Sequence, residues 1–115
     1  MEEAIHNERQ ILELLRNIFA EAGWDALFPE HQARDQRVDL ILERGNASYL
    51  LELKRISEGR SDRLIPAWSQ AYLQARHYAH PDQRPLAVIA APQISDRAAD
   101  QLLRFANDYA PEAAV

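Results

Sequence analysis

The sequence predicts an α/β protein in which a small mixed β-sheet is flanked by helices. Residues 3–22 carry apolar side chains at helical spacing, which predicts an amphipathic helix. Residues 37–43 and 48–54 are rich in β-branched, aromatic and apolar side chains, and the short connection between them predicts a β-hairpin. Residues 86–91 form a continuous apolar run that is typical of a buried parallel strand. Together with a short strand after the first helix and two further helices, which are justified below, these features indicate the element order α-β-β-β-α-β-α.

The chain has 115 residues and an ordinary globular composition, so we expect one domain over residues 1–115. The sequence contains no cysteine, which excludes disulfides, thiolate catalysis and Cys-based zinc sites. No apolar run approaches the ~18 residues that can span a bilayer, and the acidic, polar N-terminus does not resemble a signal peptide. We therefore expect a cytoplasmic protein with no membrane association.

Charge is distributed unevenly along the chain. The net charge of −5 argues against a dedicated polyanion binder. Residues 31–84, however, carry nine Lys or Arg against seven Asp or Glu, which allows local contact with phosphate groups. The alternative is a solvated surface of mixed charge.

The first helix is followed by short elements. Gly23 is a natural stop for the helix at 3–22, because glycine readily adopts the left-handed conformation that ends many helices. Residues 24–29 form a short apolar stretch, which we expect to be an edge strand that ends at Pro29. Residues 30–36 are polar and are expected to form a loop.

The hairpin places two carboxylates opposite each other. A turn centred on Gly45 and Asn46 pairs residues whose numbers add up to 91, as 45 and 46 do. Asp39 then lies opposite Glu52, and directly opposed like charges destabilise a sheet. Lys54 emerges on the same face as Glu52, because side chains alternate along a strand. An oxygen-preferring divalent cation would compensate the repulsion, and Lys54 would offset it in part.

The second half of the chain supplies a crossover connection. Residues 55–63 hold no core side chains and indicate a mobile loop. Pro66 suits the first turn of a helix at 65–80. A helical crossover makes the strand at 86–91 parallel to the strand at 48–54.

The last two connections are short. Pro81 and Pro85 are expected to bracket a turn before the final strand. Ser95 can cap a last helix at about 96–109, because its hydroxyl can accept a hydrogen bond from a backbone N–H of the first turn.

Glu8 is a third candidate carboxylate and lies in the first helix. On a helical wheel it falls on the apolar stripe that contains Leu12, Leu15 and Phe19. A carboxylate on a stripe that faces the core needs a partner. The alternative is a frayed and hydrated first turn.

The charged residues of the hairpin resemble the signature of the PD-(D/E)XK nuclease superfamily. The matching residues are Val38-Asp39 and Glu52-Leu53-Lys54. Val38 stands where the signature has proline, which is a common variation. The core of that superfamily has the order α-β-β-β-α-β. The resemblance, over roughly residues 5–91, therefore implies a restriction-endonuclease-like α/β fold with a mixed sheet flanked by helices.

Two further motifs resemble the RecB-type and type I restriction branch of the superfamily. One is a glutamate in the first helix, here Glu8, and the other is a QxxxY motif in the crossover helix, here Gln74 to Tyr78. Ala4 stands in place of the glycine of the family's GxxxE pattern. The alternative is that Gln74 is an ordinary helix-surface residue, with Gln70 as a substitute one turn earlier.

The resemblance implies a catalytic site for phosphodiester hydrolysis. Asp39, Glu52 and the Leu53 carbonyl would hold Mg²⁺ or Mn²⁺ as the cofactor. Lys54 would orient or deprotonate the attacking water, and Glu8 would support the metal through water. The alternative for Lys54 is an ordinary cation that balances the two carboxylates.

Other residues are implied to contact DNA. Gln74, the fifth catalytic candidate, would place a phosphate or a water, and Tyr78 would anchor the helix or contact the DNA backbone. Nucleic-acid binding is also expected of three arginines near the site, namely Arg34, Arg37 and Arg55. A solvated loop is the alternative explanation of these arginines.

The sequence thus predicts a Mg²⁺- or Mn²⁺-dependent endodeoxyribonuclease with DNA as its partner. We expect a homodimer or a larger nuclease assembly, because cutting both strands of a duplex needs two sites. One alternative is a catalytically inactive nucleic-acid-binding or protein-interaction module on the same fold. A structural α/β domain without a site is another.

Overall fold

The computed structural model describes residues 7–29 and 39–110, and it confirms the predicted fold class. Three helices flank a mixed four-stranded sheet in the order α-β-β-β-α-β-α. The elements are α1 (Glu8–Glu21), β1 (Asp25–Leu27), β2 (Leu40–Arg44), β3 (Ala47–Arg55), α2 (Ser61–Tyr78), β4 (Arg84–Ala90) and α3 (Asp96–Tyr109). None of the helices in these two ranges is long and apolar enough to cross a membrane.

Helix α1 is fixed at both ends by local chemistry. Asn7 and Gln10 form a capping box, in which each side chain accepts a hydrogen bond from the backbone N–H of the other residue. The helix therefore begins at Glu8, later than the predicted start at residue 3. It ends before Gly23, whose φ of +97° confirms the predicted glycine stop.

The sheet has the strand order β1-β2-β3-β4. The first three strands are antiparallel and β4 is parallel to β3, as predicted. In the hairpin, Leu40 pairs with Leu51 and Arg44 pairs with Ala47, which confirms the predicted register. The turn between β2 and β3 begins at Gly45, whose φ of +58° suits a two-residue hairpin connection.

The loop predicted over residues 55–63 is shorter in the structure, because Arg55 is the last residue of β3 and Ser61 is the first residue of α2. Gly59 is buried and forms an isolated parallel bridge with Ile94, so the two segments that leave β3 and β4 remain joined. A Cβ atom at Gly59 would collide with the carbonyl oxygen of Gln93. Glycine permits this close backbone approach, which the count of apolar side chains in the segment does not reveal.

Helix α2 begins earlier than the predicted range of 65–80. It starts at Ser61, so Pro66 lies inside the helix and not in its first turn. Proline removes one backbone hydrogen bond from a helix interior. The first turn of α2 is retained because Leu64 is fully buried in the core.

Pro85 lies in the edge strand β4 and not in the predicted turn, because an edge strand tolerates a missing N–H.

The two faces of the sheet carry different helices. Helix α1 packs on the face that includes Leu51 and Leu53, whereas α2 packs on β3 and β4 and also contacts α3. Because side chains alternate along β3, Glu52 and Lys54 lie on the face opposite Leu51 and Leu53. The segment of β3 that carries the nuclease-like motif thus lies between two packed layers, at the carboxyl end of the strand.

Replacement of Gly59 by alanine is expected to destabilise the fold by about 1–3 kcal/mol, the usual cost of forcing extra atoms into a packed site. Denaturant unfolding measures the change. Gly45→Asn is the matched control, because no atom lies within 4 Å of a Cβ there and asparagine tolerates a positive φ. We expect the control to stay within about 0.5 kcal/mol of the original protein. Equal stabilities for the two variants would contradict the role assigned to the bridge.

Candidate functional site

Asp39 and Glu52 are brought together by the hairpin register. Asp39 directly precedes β2, and continuing the register by one pair sets it opposite Glu52. Its Oδ2 atom accepts a hydrogen bond of 2.7 Å from the backbone N–H of Leu53. The N–H of Leu53 therefore points toward β2. Because these directions alternate along a strand, the N–H of Glu52 points away from β2, so Asp39 and Glu52 face each other without backbone hydrogen bonds between them. In such pairs the opposed side chains approach most closely.

Glu52 is a buried carboxylate with an incomplete set of partners. Only 6% of its surface is exposed, and no other polar or charged residue of the described chain is as buried. Its Oε1 atom has no hydrogen-bond partner among the described residues. An unpartnered buried oxygen is costly, and native proteins contain few of them. The packing of the sheet alone does not explain why this oxygen of Glu52 is buried without a partner.

The electrostatics of the pair favour protonation. Burial, followed by the charges of Asp39 and Glu8, raises the pKa of Glu52 to about 8. Burial and the charge of Glu8 also raise the pKa of Asp39, although the hydrogen bond from the Leu53 N–H acts in the opposite direction. Without a cation the two carboxylates are difficult to ionise together.

Glu8 is the first residue of α1 and is exposed. Glu8 keeps its place on the helical wheel in line with Leu12, but the residue is exposed, so the expectation that it faces the core is wrong. Its charge nevertheless contributes to the raised pKa of both Asp39 and Glu52. The structure thus brings three predicted carboxylates into one electrostatic neighbourhood.

Lys54 lies two residues beyond Glu52 on the same face of β3 and is exposed. Among the described residues, no ion pair joins it to Asp39 or Glu52. The buried charge is therefore not balanced by this lysine. The carbonyl of Leu53 points to the same side of the strand as its N–H, toward Asp39, because both groups of a strand residue share one side.

Gln74 is half-buried in the second half of α2. Tyr72 contacts α3 through Tyr109, and Gln74 lies about 200° around the helix from it. Gln74 is therefore on the flank of α2 that faces away from α3. No hydrogen bond in the described part of the chain joins it to Asp39 or Glu52.

The remaining nucleic-acid candidates belong to different segments of the chain. Tyr78 is the last residue of α2, is half-buried and lies edge-on to His77 at 4.8 Å between ring centroids. Arg55 is exposed at the end of β3, on the opposite face from Lys54. Arg34 and Arg37 lie outside the described residues.

The carboxylate pair suits a hard divalent cation. Within residues 7–29 and 39–110, no group of three or more His, Asp or Glu side chains converges closely enough to hold a metal alone. Mg²⁺ does not need such a cage, because it commonly binds through one or two carboxylates and keeps several waters. Asp39, Glu52 and the Leu53 carbonyl are all oxygen donors, and the unpartnered Oε1 of Glu52 is the atom that a cation would satisfy.

No family model matches the chain, and no curated protein matches it. Among solved structures, the chain is similar to a repair endonuclease from Pyrococcus abyssi, with 18% sequence identity and a TM-score of 0.48. The similarity covers 90% of this chain and 46% of that protein, so the chain spans about half its length. A similarity of this degree does not identify a family or an activity.

The metal-free protein is expected to lose stability as the pH rises from about 5 to about 8. Glu52 has a pKa of about 8 in the folded chain against 4.5 for an ordinary glutamate, so in this range the folded state holds a proton that the unfolded state releases. Stability therefore falls with increasing pH, and each pKa unit corresponds to about 1.4 kcal/mol. Denaturant unfolding in EDTA at several pH values measures the slope.

Glu52→Gln should flatten this pH dependence, because glutamine carries no titrating proton. Glu43→Gln is the control, since it removes an exposed carboxylate from the neighbouring strand β2 and should keep the original slope. If Glu52→Gln and Glu43→Gln lose stability equally as the pH rises, the slope does not come from Glu52.

Proposed function

We propose that this chain is a divalent-metal-dependent nuclease that hydrolyses phosphodiester bonds in DNA. One observation carries the proposal: Glu52 is buried beside Asp39 with an unpartnered carboxylate oxygen, and Lys54 follows on the same face. A structural role would favour neutralised charges, yet the described residues show no ion pair between Lys54 and either carboxylate. The arrangement is therefore better suited to binding a cation than to stabilising the sheet.

The carboxylates and one carbonyl would form the metal site. Asp39 and Glu52 would each contribute an oxygen, and the Leu53 carbonyl would contribute a third. The hydrogen bond from the Leu53 N–H already fixes the carboxylate of Asp39 against β3. When bound, a Mg²⁺ or Mn²⁺ ion would polarise the phosphate and lower the pKa of a water molecule. Fixed donors reduce the rearrangement that binding requires.

The other residues would act on the phosphate and the water. Lys54 is exposed, so its ammonium group can approach a phosphate, orient the attacking water and stabilise the negative charge that develops in the transition state. In the reaction, the water oxygen forms a bond to phosphorus while the bond to the leaving sugar oxygen breaks. Gln74 would hydrogen-bond a phosphate oxygen from the flank of α2, and Glu8 would support the metal through water.

The alternative function is a binding module on the same fold without catalysis. The net charge of −5 favours this alternative, because an acidic chain binds DNA weakly by itself. The two functions differ in whether metal binding leads to cleavage. The homodimer and the cytoplasmic location stay predictions.

Glu52→Gln tests the proposal, because it removes one charge from the carboxylate pair while keeping the shape of the side chain. Without metal, the variant should be as stable as the original protein or more stable by roughly 0.5–2 kcal/mol. It should lose the rise in melting temperature that Mg²⁺ or Mn²⁺ gives the original protein. It should also lose cleavage of plasmid, single-stranded and branched DNA.

Glu43→Gln is again the control and should retain both the metal effect and cleavage. An original protein that shows no metal-dependent shift, together with a Glu52→Gln variant that is less stable, would contradict the proposal. Binding of metal and DNA without cleavage of any substrate would favour the inactive binding module.

A further inference from the structure

Two arginines of α1 lie against one aromatic ring. The Cζ atom of Arg9 is 3.9 Å from the centroid of the Phe28 ring, and that of Arg16 is 5.3 Å from the same centroid. Residues 1–30 contain seven Asp or Glu and only these two Lys or Arg. The fold therefore concentrates both cations of an acidic segment on a single ring.

The ring lies at the same end of the sheet as the carboxylate pair. Leu27 pairs with Ile41 in the antiparallel β1–β2 ladder, so continuing this register sets Phe28 opposite Leu40. Leu40 is the immediate neighbour of Asp39. Arg9 is also adjacent in the chain to Glu8, whose charge contributes to the raised pKa of Asp39. The ring lies on the face of the sheet that α1 covers, whereas Glu52 lies on the opposite face. A strand of DNA would therefore have to cross this end of the sheet to contact both the carboxylates and the two guanidinium groups.

The contacts leave the arginines suited to phosphate binding. Stacking on a ring uses the flat face of a guanidinium group, whereas its N–H donors point outward in the plane and match two phosphate oxygens. Phe28 is half-buried and packs against the core cluster, so it gives the guanidinium groups a fixed support. Preorganised side chains lose less entropy when they bind.

The existing ion pair of Arg9 does not prevent this role. Its Nε atom is 3.6 Å from Oε2 of Glu13, and both side chains are at least half exposed. Exposed pairs at this spacing contribute little to stability, so a phosphate can replace the carboxylate at small cost.

We propose that Arg9 and Arg16 bind the phosphodiester backbone of DNA at the end of the sheet that holds the carboxylate site, on the face covered by α1, and that Phe28 is a positioning residue that orients them. The inference rests on the proposed function for the identity of the ligand. It locates DNA contact on α1, apart from the arginines expected from the sequence.

Salt-dependent binding of a fluorescein-labelled 20-base-pair DNA duplex, measured by anisotropy in EDTA, tests the inference without cleavage. Arg9→Gln and Arg16→Gln should each weaken binding about three- to tenfold. Each should also lower the slope of log affinity against log salt by about 0.9, the value for one lost phosphate contact. Arg9→Lys should keep the slope but weaken binding, because it keeps the charge and loses the planar group.

Arg104→Gln is the matched control. Arg104 of α3 also forms an exposed ion pair one helical turn apart, with Asp100 at 3.8 Å, and this variant should bind as the original protein does. Phe28→Tyr should keep the original affinity, whereas Phe28→Leu should lose it, because the flat ring orients the arginines. Melting temperatures of all variants separate these effects from unfolding.

The outcomes distinguish this inference from the proposed nuclease function. If the arginine variants lose affinity while the original protein cleaves no DNA, the binding site stands and the nuclease proposal fails. If the original protein cleaves DNA and the arginine variants match Arg104→Gln in affinity and slope, the inference is overturned. An original protein that does not bind the duplex also overturns it.

Discussion

Two carboxylates held side by side where water has poor access are the constraint on which the rest of the site depends. Like charges in a sheet repel, and a buried carboxylate oxygen without a partner adds a desolvation cost. The chain avoids part of this cost by raising the pKa of Glu52 to about 8, so that a proton replaces one of the charges. A divalent cation would replace that proton and satisfy both carboxylates at once.

The fold produces this constraint through backbone geometry. The turn at Gly45 fixes the hairpin register, and the register sets Asp39 opposite Glu52. Helix α2 buries the face of the sheet that carries Glu52, and the bridge at Gly59 holds the segment that leads from β3 into this helix. Stability and proposed function are therefore in opposition at Glu52, since the packing that excludes water also makes the charge costly.

Local signals in the sequence are sufficient to predict much of this arrangement. The Gly-Asn turn and side-chain alternation predict the register and the shared face of Glu52 and Lys54, because both depend on short-range geometry. The early start of α2, with Pro66 in its interior, is not predictable from helix rules, because burial of Leu64 outweighs the proline penalty. Tertiary packing also decides the conformation of the loop that Gly59 ties to the segment after β4.

The site is less completely predictable than the fold. A helical wheel places Glu8 on the apolar stripe, but it does not show how far the core extends along the helix, and Glu8 is exposed in the first turn. The contact of Arg9 with Phe28 joins residues on different elements, and periodicity within one element cannot reveal it. The composition of residues 1–30 gives an indirect signal for the two arginines, because they are the only Lys or Arg in a segment with seven Asp or Glu.

Anomalous X-ray diffraction from crystals soaked in Mn²⁺ is the decisive measurement for a metal at the carboxylate pair, because the manganese signal locates the ion without reference to activity. We predict a peak between the carboxylates of Asp39 and Glu52, within coordination distance of Oε1 of Glu52 and of the Leu53 carbonyl oxygen. Crystals of Glu52→Gln treated in the same way should show no such peak. A well-ordered site without manganese, in which Lys54 pairs with Glu52, would contradict the proposed metal site.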